Sequence, residues 1–299
     1  RLISIKKATI NIAVGEFNEY YGTDKKVTIT VTNAKTGEPV TYEVIHLYMP
    51  QTTSKDYYFT TNENGISEIG VNQLTAETYS FSVSNNDTTN IEKKTVDGKF
   101  TILLKPISLS VTSSLTISYN TEYTATIKVT DKATGKAVSG AILYIKLYTG
   151  SKHLDLLVQA DKNGIAKFQA PLSVGKHKMV ISTDKKYEPR YTAKSVTKTL
   201  TVKKASGKIS APKVTTYYKG EKYLNIKLVN TKNNKPIYLA KVNIRVYISS
   251  TRYYNYNIQT GYDGKIKLLI DLVPKPYKVE VRSGESKNFA AKKVTTKIV

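Results

Sequence analysis

The sequence contains no cysteine and no tryptophan, and only two of its 299 residues are methionine. The missing cysteine excludes disulfide bonds and thiolate metal sites, so we expect stability to come from core packing alone. No run of about 18 apolar residues occurs, which argues against a transmembrane helix. Residues 1–5 are too short for the apolar region of a signal peptide. We therefore expect a mature or excised fragment whose targeting and anchoring parts lie outside it.

Acidic side chains are scarce beside basic ones, with 23 Asp and Glu against 46 Lys and Arg and a formal net charge of +23. The excess is uneven: the net charge is −1 over residues 1–105, +10 over 106–204 and +14 over 205–299. Two interpretations are open. The lysine-rich composition fits the codon bias of an AT-rich genome combined with solubility, whereas the gradient fits a surface that faces an anionic partner.

One pattern fills the chain in three copies of about 100 residues. Each copy has a strand that ends in two alternating aliphatic residues and a tyrosine, namely Ile45, Leu47 and Tyr48, then Ile145, Leu147 and Tyr148, then Ile244, Val246 and Tyr247. Each copy also has a turn that ends in glycine, at Gly65, Gly164 and Gly264. A period of this length is a whole domain rather than a solenoid unit. We place the repeats at 1–105, 106–204 and 205–299, each long enough to bury its own core.

Within each repeat, apolar and polar residues alternate with the period of two that is typical of half-buried strands. The tyrosine strand carries a polar residue at its outward position in every copy, namely His46, Lys146 and Arg245. No stretch resembles a capped amphipathic helix, and turn residues are dense. The pattern predicts an all-β protein with three tandem immunoglobulin-like β-sandwich domains in an elongated rod. The junctions, at Lys105-Pro106 and at residues 203–207, are too short to be flexible tethers.

The order of these features resembles a known family. Each copy runs through a strand, a Thr-Gly or Asn-Lys-Pro turn, the tyrosine strand, an Asn-Gly or Asp-Gly turn and a further alternating strand, as at Tyr79, Phe81 and Val83. The chain resembles the tandem Ig-like repeats of large prokaryotic surface adhesins of the invasin and intimin type, and its composition is similar to that of adhesin-like proteins of methanogenic archaea. The resemblance covers essentially the whole chain. It implies a cell-surface or extracellular adhesin or stalk segment that attaches to other cells or surfaces, and it carries over no catalytic residue.

Side chains with catalytic or metal-binding chemistry are sparse. His46 takes an outward strand position and His177 takes the place of Tyr79 and Tyr277, so we expect one solvated and one packed residue; the third histidine is His153. No metal-binding, phosphate-cradling or nucleophile-elbow motif occurs. We therefore expect a protein that is not an enzyme and that has no metal or cofactor.

Two other kinds of site are considered, a calcium site in the turns and an internal crosslink in the cores. The turn from Asp161 to Gly164 vaguely resembles a calcium loop, but calcium needs six or more oxygen ligands and Lys162 lies inside the turn. We interpret this turn, in all three copies, as a hairpin turn with glycine at positive φ. An internal isopeptide or ester crosslink would need a buried acid beside the reacting pair, and no such set recurs in the three copies.

A cluster of tyrosine beside arginine is the candidate ligand-binding site: Tyr253, Tyr254 and Tyr256, with Arg245 and Arg252. Tyrosine and arginine are enriched in binding hot spots, and tyrosine rings can stack on sugars. The alternative is that tyrosine simply favours strands and leaves its hydroxyl group in water. Both interpretations are open, and the first predicts a carbohydrate-binding surface module.

The expected partners are cell-surface glycans or an anionic wall polymer of a host or partner cell, because spread positive charge can bind such polymers without a motif. The lysines are dispersed and no recognition helix or RNP-like motif occurs, which argues against nucleic acid. We expect a monomeric rod. The sequence Asn86-Asp87-Thr88 is a potential glycosylation site in a polar loop.

Overall fold

The computed structural model describes residues 5–121, 123–170 and 172–299. These residues contain no helix, and therefore none long and apolar enough to cross a membrane. They form 25 strands in six sheets, two in each repeat. We call the sheet with the first strand of a repeat sheet I, and the sheet with its tyrosine strand sheet II. The predicted fold class, all-β with three tandem Ig-like β-sandwiches, is confirmed.

Repeat 1 has a three-stranded sheet I and a five-stranded sheet II. Its strands are β1 (Ile10–Val14), β2 (Asn18–Tyr20), β3 (Lys26–Asn33), β4 (Val44–Tyr48), β5 (Asp56–Thr60), β6 (Ile66–Gly70), β7 (Thr78–Asn85) and β8 (Thr95–Leu103). Sheet I has the order β1-β3-β6, and sheet II has the order β2-β8-β7-β4-β5. Strand β2 runs parallel to the last strand, β8, whereas the other pairs are antiparallel. The Greek-key order of an Ig-like sandwich follows from this arrangement.

Repeat 2 keeps this topology and adds one edge strand to sheet I. Its strands are β9 (Lys105–Val111), β10 (Thr116–Ser118), β11 (Thr124–Asp131), β12 (Ile142–Thr149), β13 (Lys152–Gln159), β14 (Ile165–Gln169), β15 (Gly175–Ser182), β16 (Tyr191–Ala193) and β17 (Val196–Lys203). Sheet I has the order β14-β11-β9-β16, and sheet II has the order β10-β17-β15-β12-β13. Strand β10 again runs parallel to the last strand, β17.

Repeat 3 has four strands in each sheet. They are β18 (Ala205–Ser210), β19 (Tyr223–Asn230), β20 (Lys241–Tyr247), β21 (Tyr253–Gln259), β22 (Lys265–Leu269), β23 (Tyr277–Ser283), β24 (Phe289–Ala290) and β25 (Lys292–Ile298). Sheet I has the order β22-β19-β18-β24, and sheet II has the order β21-β20-β23-β25. A single parallel bridge, from Val214 to Ile298, stands where β2 and β10 lie in the other repeats.

Each repeat has a hydrophobic core of its own between its two sheets. The alternation of apolar and polar residues that predicted the strands matches the alternation of buried and exposed side chains. Val27, Ile29 and Val31 are fully buried, and the threonines between them are only partly buried. Because side chains alternate across a strand, the polar partners line the outer faces of the sandwich. The three cores share no residue, which is typical of modules that pack independently.

The solvent-accessible surface area shows that the three repeats form an extended arrangement rather than one compact globule. The accessible surface is 18198 Å². A compact globule of 33.3 kDa would expose about 12,600 Å², and three separate modules of a third of that mass would expose about 17,000 Å². Little surface is therefore buried between repeats, as expected for an elongated rod.

The three turn glycines have the predicted positive φ but not the predicted hairpin. Gly65, Gly164 and Gly264 have φ values of 69°, 71° and 71°. A Cβ atom at each would lie 2.5 Å from a backbone oxygen, so no other residue fits without movement. The strands on either side of each turn lie in different sheets, as β5 and β6 do. The hairpin interpretation is therefore wrong: these turns are corners between sheets, and the next strand pairs with one far back in the chain.

The two junctions between repeats share an edge-on aromatic contact. At the first junction Tyr21 of repeat 1 meets Tyr191 of repeat 2, with ring centroids 5.4 Å apart and planes at 76°. At the second junction Tyr119 of repeat 2 meets Phe289 of repeat 3, at 5.7 Å and 87°. Tyr21 directly follows the short parallel strand β2, and Tyr119 directly follows its counterpart β10. The aromatic contact therefore occupies equivalent positions at both junctions.

The first junction has an additional brace around Arg190. The guanidinium carbon of Arg190 lies 5.4 Å from the Tyr191 ring centroid and 6.0 Å from that of Tyr21. Arg190 is held by the fully buried carboxylate of Glu188, which accepts its Nε–H at 2.8 Å and its Nη2–H at 2.9 Å. A backbone hydrogen bond of 2.8 Å, from the Ala76 N–H to the Pro189 carbonyl, also joins the two repeats.

Candidate binding face on the third repeat

The outer face of sheet II in repeat 3 carries the densest set of exposed functional groups. Strand register places them in three rows across β21, β20, β23 and β25, namely Tyr253, Tyr247, Lys278 and Lys297, then Asn255, Arg245, Glu280 and Thr295, then Asn257, Asn243, Arg282 and Lys293. Neighbouring strands lie about 4.8 Å apart and successive rows about 7 Å apart. We call this three-row surface the cationic face.

The two aromatic rings of the first row each contact a cation. The Tyr247 and Tyr253 rings lie 5.4 Å apart and are tilted by 54°. The guanidinium carbon of Arg245 lies 4.6 Å from the centre of the Tyr253 ring, and Lys278 Nζ lies 5.4 Å from the centre of the Tyr247 ring. Such cation–π contacts fix long basic side chains over the sheet while their charges stay available to a ligand.

The middle of the face contains one buried carboxylate. Glu280 is 3% exposed and pairs with Arg282 and Lys293, which lie side by side in the third row. The hydrogen bond from Lys293, helped by that from Arg282 and opposed by burial, holds the pKa of Glu280 below its ordinary value. Glu280 is therefore ionised at neutral pH and engages two of the cations around it. Among the described residues, Arg245, Lys278 and Lys297 form no ion pair.

A short amide ladder borders the cations. The Nδ2 group of Asn243 donates to Asn255 Oδ1 at 2.7 Å and to Asn257 Oδ1 at 2.8 Å. The Nδ2 groups of Asn255 and Asn257 keep their own donor capacity. The face thus presents hydrogen-bond donors next to fixed positive charge, a combination suited to a ligand with both hydroxyl and acidic groups.

The equivalent faces of the other repeats show that part of the charge gradient of the sequence lies on sheet II. In repeat 1 the face holds two carboxylates and one lysine, and in repeat 2 it holds two lysines and one carboxylate. These charged residues are Asp56, Asp97 and Lys99, then Lys146, Lys178 and Asp155. With neutral histidine, the formal charge of this face is −1 in repeat 1, +1 in repeat 2 and +4 in repeat 3. The face thus contributes 5 of the 15 charge units by which repeat 3 exceeds repeat 1.

The structure brings together only part of the tyrosine and arginine cluster. Arg245 and Tyr253 are in contact on the cationic face, and Arg252 is exposed just before β21. Tyr254 and Tyr256 pair with Val246 and Ile244 and so point to the opposite, inner side of the sheet.

The two inward tyrosines differ in exposure because β21 is an edge strand. Tyr256 packs against the core, and burial raises the pKa of its hydroxyl group. Tyr254 remains 47% exposed. The residues of the cationic face that the sequence analysis missed include Lys278 and Glu280, which face outward between the buried Tyr277, Val279 and Val281 and could have been found by that alternation.

The remaining candidate sites have structural explanations. His46 lies on the outer face, with Nε2 2.8 Å from Asp56 Oδ1, and His177 is 2% exposed, with Nε2 2.8 Å from the Ser173 carbonyl oxygen. The carboxylate of Asp161 accepts backbone N–H groups of Asn163 and Ile165 within its turn, which lowers its pKa. Within the described ranges, no group of three His, Asp or Glu residues could hold a metal ion.

Comparison with known proteins gives structural neighbours only. No protein-family model matches the sequence, and no curated protein matches it. Similar solved structures include a tetra-tandem repeat in the extending region of a large adhesion protein, with 11% identity over 97% of this chain and 73% of that chain and a TM-score of 0.39. They also include the Yersinia pseudotuberculosis adhesin InvE, with 13% identity over 64% and 58% and a TM-score of 0.38.

A third neighbour is a set of titin domains, with 11% identity over 98% of both chains and a TM-score of 0.36. The neighbours are thus tandem adhesin and Ig-like repeats, the kind of protein that the sequence resembles. Because these TM-scores are below 0.5, the fold assignment rests on the strand order and register described above.

Proposed function

We propose that this chain is a non-enzymatic segment of a cell-surface adhesin or stalk, which attaches to other cells or surfaces through the cationic face of repeat 3. One observation carries the proposal: the same face changes from −1 to +1 to +4 along the three repeats. Compositional bias alone would charge the three faces alike. The attachment surface would lie toward an anionic partner, with repeat 1 projecting away from it.

The chemistry of the face favours binding over catalysis. A general acid or base needs a pKa near the working pH. The pKa of Glu280 is instead held low by its two cations, and Tyr253 is covered on one side by Arg245. Such fixed charges and rings can position a ligand, and they are not tuned for proton transfer.

The test is attachment of beads coated with the full chain to surfaces carrying anionic wall material or host-cell glycans, at two salt concentrations. We expect attachment to weaken at high salt. Lys278→Ala in repeat 3 should weaken it, whereas Lys99→Ala, on the outer face of sheet II in repeat 1, should not. Equal loss from both variants would show that the gradient has no role, and attachment to no surface would overturn the adhesive function.

A second candidate function is carbohydrate binding by the aromatic end of the same face. It is favoured by the contact between Arg245 and Tyr253, which presents a ring and a guanidinium group together. A glycan array should then show binding to uncharged sugars that persists at high salt. Tyr253→Ala should abolish it, and Tyr262→Ala, at an 85% exposed tyrosine in a distant turn, should leave it intact. Tyr254→Ala and Tyr256→Ala, on the inner side, should have smaller effects than Tyr253→Ala.

A further inference from the structure

We propose that the cationic face binds a linear acidic polysaccharide and that Glu280 acts as a built-in competitor for its acid groups. The inference deepens the proposed attachment function by naming the ligand class, and rests on that function for its biological setting. Its chemistry depends only on the face itself: the first and third rows each hold two cations, and the middle row between them holds Glu280 beside Arg245.

The positions of the charges fit an extended ligand. Lys278 and Lys297 lie side by side in the first row, and Arg282 and Lys293 lie side by side in the third. Residues four apart in a strand are about 14 Å apart. A polymer with acid groups on successive units can contact both rows at once, and each additional contact is then intramolecular. Isolated anions would gain only one contact, which favours a polymer over a small anion.

Arg245 supplies a further reason to expect an anionic ligand. It stands beside Glu280 in the middle row but forms no ion pair with it, and its Nε atom is buried without a hydrogen-bond acceptor. Buried donors without partners are uncommon and destabilising. A small shift of the side chain on binding would let its guanidinium group meet an acid group of the ligand.

The rest of the face distinguishes a polysaccharide from a nucleic acid or a membrane. Platforms for single strands offer free aromatic faces to successive bases. Here Tyr247 and Tyr253 each have a cation over one face and are tilted to each other. The three outward rows contain no aliphatic residue that could enter a bilayer. The amide donors of Asn255 and Asn257 instead match the hydroxyl groups of sugars.

Replacing Glu280 tests the proposal, because the proposal predicts a gain in affinity for acidic polysaccharide rather than a loss. Its carboxylate occupies Arg282 and Lys293, so an acid group of the ligand must compete with it for those cations. Glu280→Gln removes one negative charge and frees both cations. We expect this variant to bind acidic polysaccharide more tightly, on the order of fivefold at low salt, and to show a steeper dependence on salt. A residue with a purely structural role would not raise affinity when replaced.

The experiment titrates the full chain with dextran sulfate, polygalacturonate and plain dextran at low and high salt. The double variant Lys278→Ala with Lys297→Ala should lose about tenfold in affinity for the acidic polymers. Its control is Lys227→Ala with Lys267→Ala, which removes the same charge from the outer face of sheet I in the same repeat. We expect less than a twofold change in the control, and circular dichroism checks that all variants are folded.

Three results would overturn this inference. They are equal losses from the two double variants, lower affinity of a folded Glu280→Gln variant, and tighter binding to an oligonucleotide or to anionic vesicles at the same charge concentration. If the beads attach to neutral glycans while the acidic polymers do not bind, this inference fails and the adhesive function stands. If neither binds, both fail.

Discussion

The two junctions between repeats are built on the same positions and differ in the polar contacts around them. Both have the edge-on aromatic contact, but Arg190 at the first junction corresponds to Asn288 at the second, where Glu188 has no acidic counterpart. The second junction relies on side-chain amides: Asn233 Nδ2 donates to the Asn120 carbonyl at 2.6 Å and Asn230 Nδ2 to the Tyr119 carbonyl at 3.4 Å. The aromatic pair is thus common to both junctions, and the first junction adds a contact of Arg190, held by Glu188 of its own repeat, with the Tyr21 ring.

The second junction also differs from the first in containing an open cavity. A cavity of about 430 Å³ lies between the two repeats there, lined by Leu172 and Ser173 on one side and Lys287 and Asn288 on the other. At the first junction the corresponding loops are joined by the hydrogen bond from Ala76 to Pro189. We therefore expect repeats 1 and 2 to move as a unit and repeat 3 to take a wider range of angles.

The largest expected effect comes from Glu188→Ala. The change leaves the Ile142 N–H group, now bonded to Glu188 Oε2 at 2.6 Å, without an acceptor, and it leaves the Arg190 guanidinium group with only the Gly140 carbonyl oxygen, at 2.7 Å. Breaking a buried ion pair in this way should destabilise repeat 2 by about 3 kcal/mol. Hydrogen exchange of repeat 2 amides measures it. As a control, Glu285→Ala removes an exposed partner of Lys204 near the second junction and should lower the free energy of unfolding by less than about 0.5 kcal/mol. Equal losses from Glu188→Ala and Glu285→Ala would show that the first junction has no stronger ion pair than the second.

Arg190→Ala should have the next largest effect, because it removes the cation between the two tyrosines and leaves Glu188 unpaired. We expect a loss of about 2 kcal/mol in repeat 2, and small-angle scattering should show a broader distribution of angles between repeats 1 and 2. The matched change Asn288→Ala should alter neither quantity measurably. An unchanged scattering profile for Arg190→Ala would mean that the brace does not stiffen the junction.

Replacing the shared aromatic contact should affect both junctions alike. Tyr21→Ala and Tyr119→Ala each remove an edge-on ring pair, with an expected cost of about 1 kcal/mol in the coupling between neighbouring repeats. Tyr21→Phe and Tyr119→Phe should retain most of it. Double-mutant cycles with Tyr191→Ala and Phe289→Ala measure the coupling, and a value near zero at either junction would show that this contact is incidental.

The smallest effect is a difference in pH dependence. Asp131 and Asn230 hold equivalent turn positions. Hydrogen bonds from the Thr134 backbone and from Lys105, whose Nζ lies 3.0 Å away, lower the pKa of Asp131 to about 2. Its carboxylate contributes stability that is present above pH of about 4 and is lost as the pH falls toward 2.

The expected loss in repeat 2 is below about 1 kcal/mol once solvent screening is included. Asp131→Asn should flatten the stability of repeat 2 between pH 5 and 2 without touching repeat 3, whose Asn230 does not titrate. Thermal unfolding followed over that pH range provides the measurement. An unchanged pH profile in the variant would locate the acid sensitivity elsewhere.

Residue types and alternation in the sequence predicted the conformation of turns and the orientation of side chains within strands. They did not predict which strands pair across the chain. The positive φ of Gly65 and the outward position of Arg245 follow from residue type and from alternation within a strand. Whether the turn at Gly65 is a hairpin depends on the partner of β6, which is β3, about 40 residues earlier. The sequence around that turn contains no information about this pairing.

The same limit applies to the candidate site. Alternation required Tyr253 and Tyr254 to point to opposite sides, but only the pairing of Tyr253 with Tyr247 determines which one faces outward. Arg245 and Glu280 are neighbours only through the register of β20 and β23. Glu188, within Glu-Pro-Arg, looks like an ordinary surface loop residue until the fold buries it completely.

The parallel pairing of the short strand with the last strand has a mechanical consequence. In repeats 1 and 2 the segments near the two ends of the module lie side by side in the same direction, with three residue pairs each. Tension along the chain would load these bonds simultaneously, in shear, instead of unzipping them one by one. In repeat 3 one parallel bridge and three backbone hydrogen bonds join residues 214–216 to residues 297–299 at the same place, so all three modules should resist tension in this shear geometry.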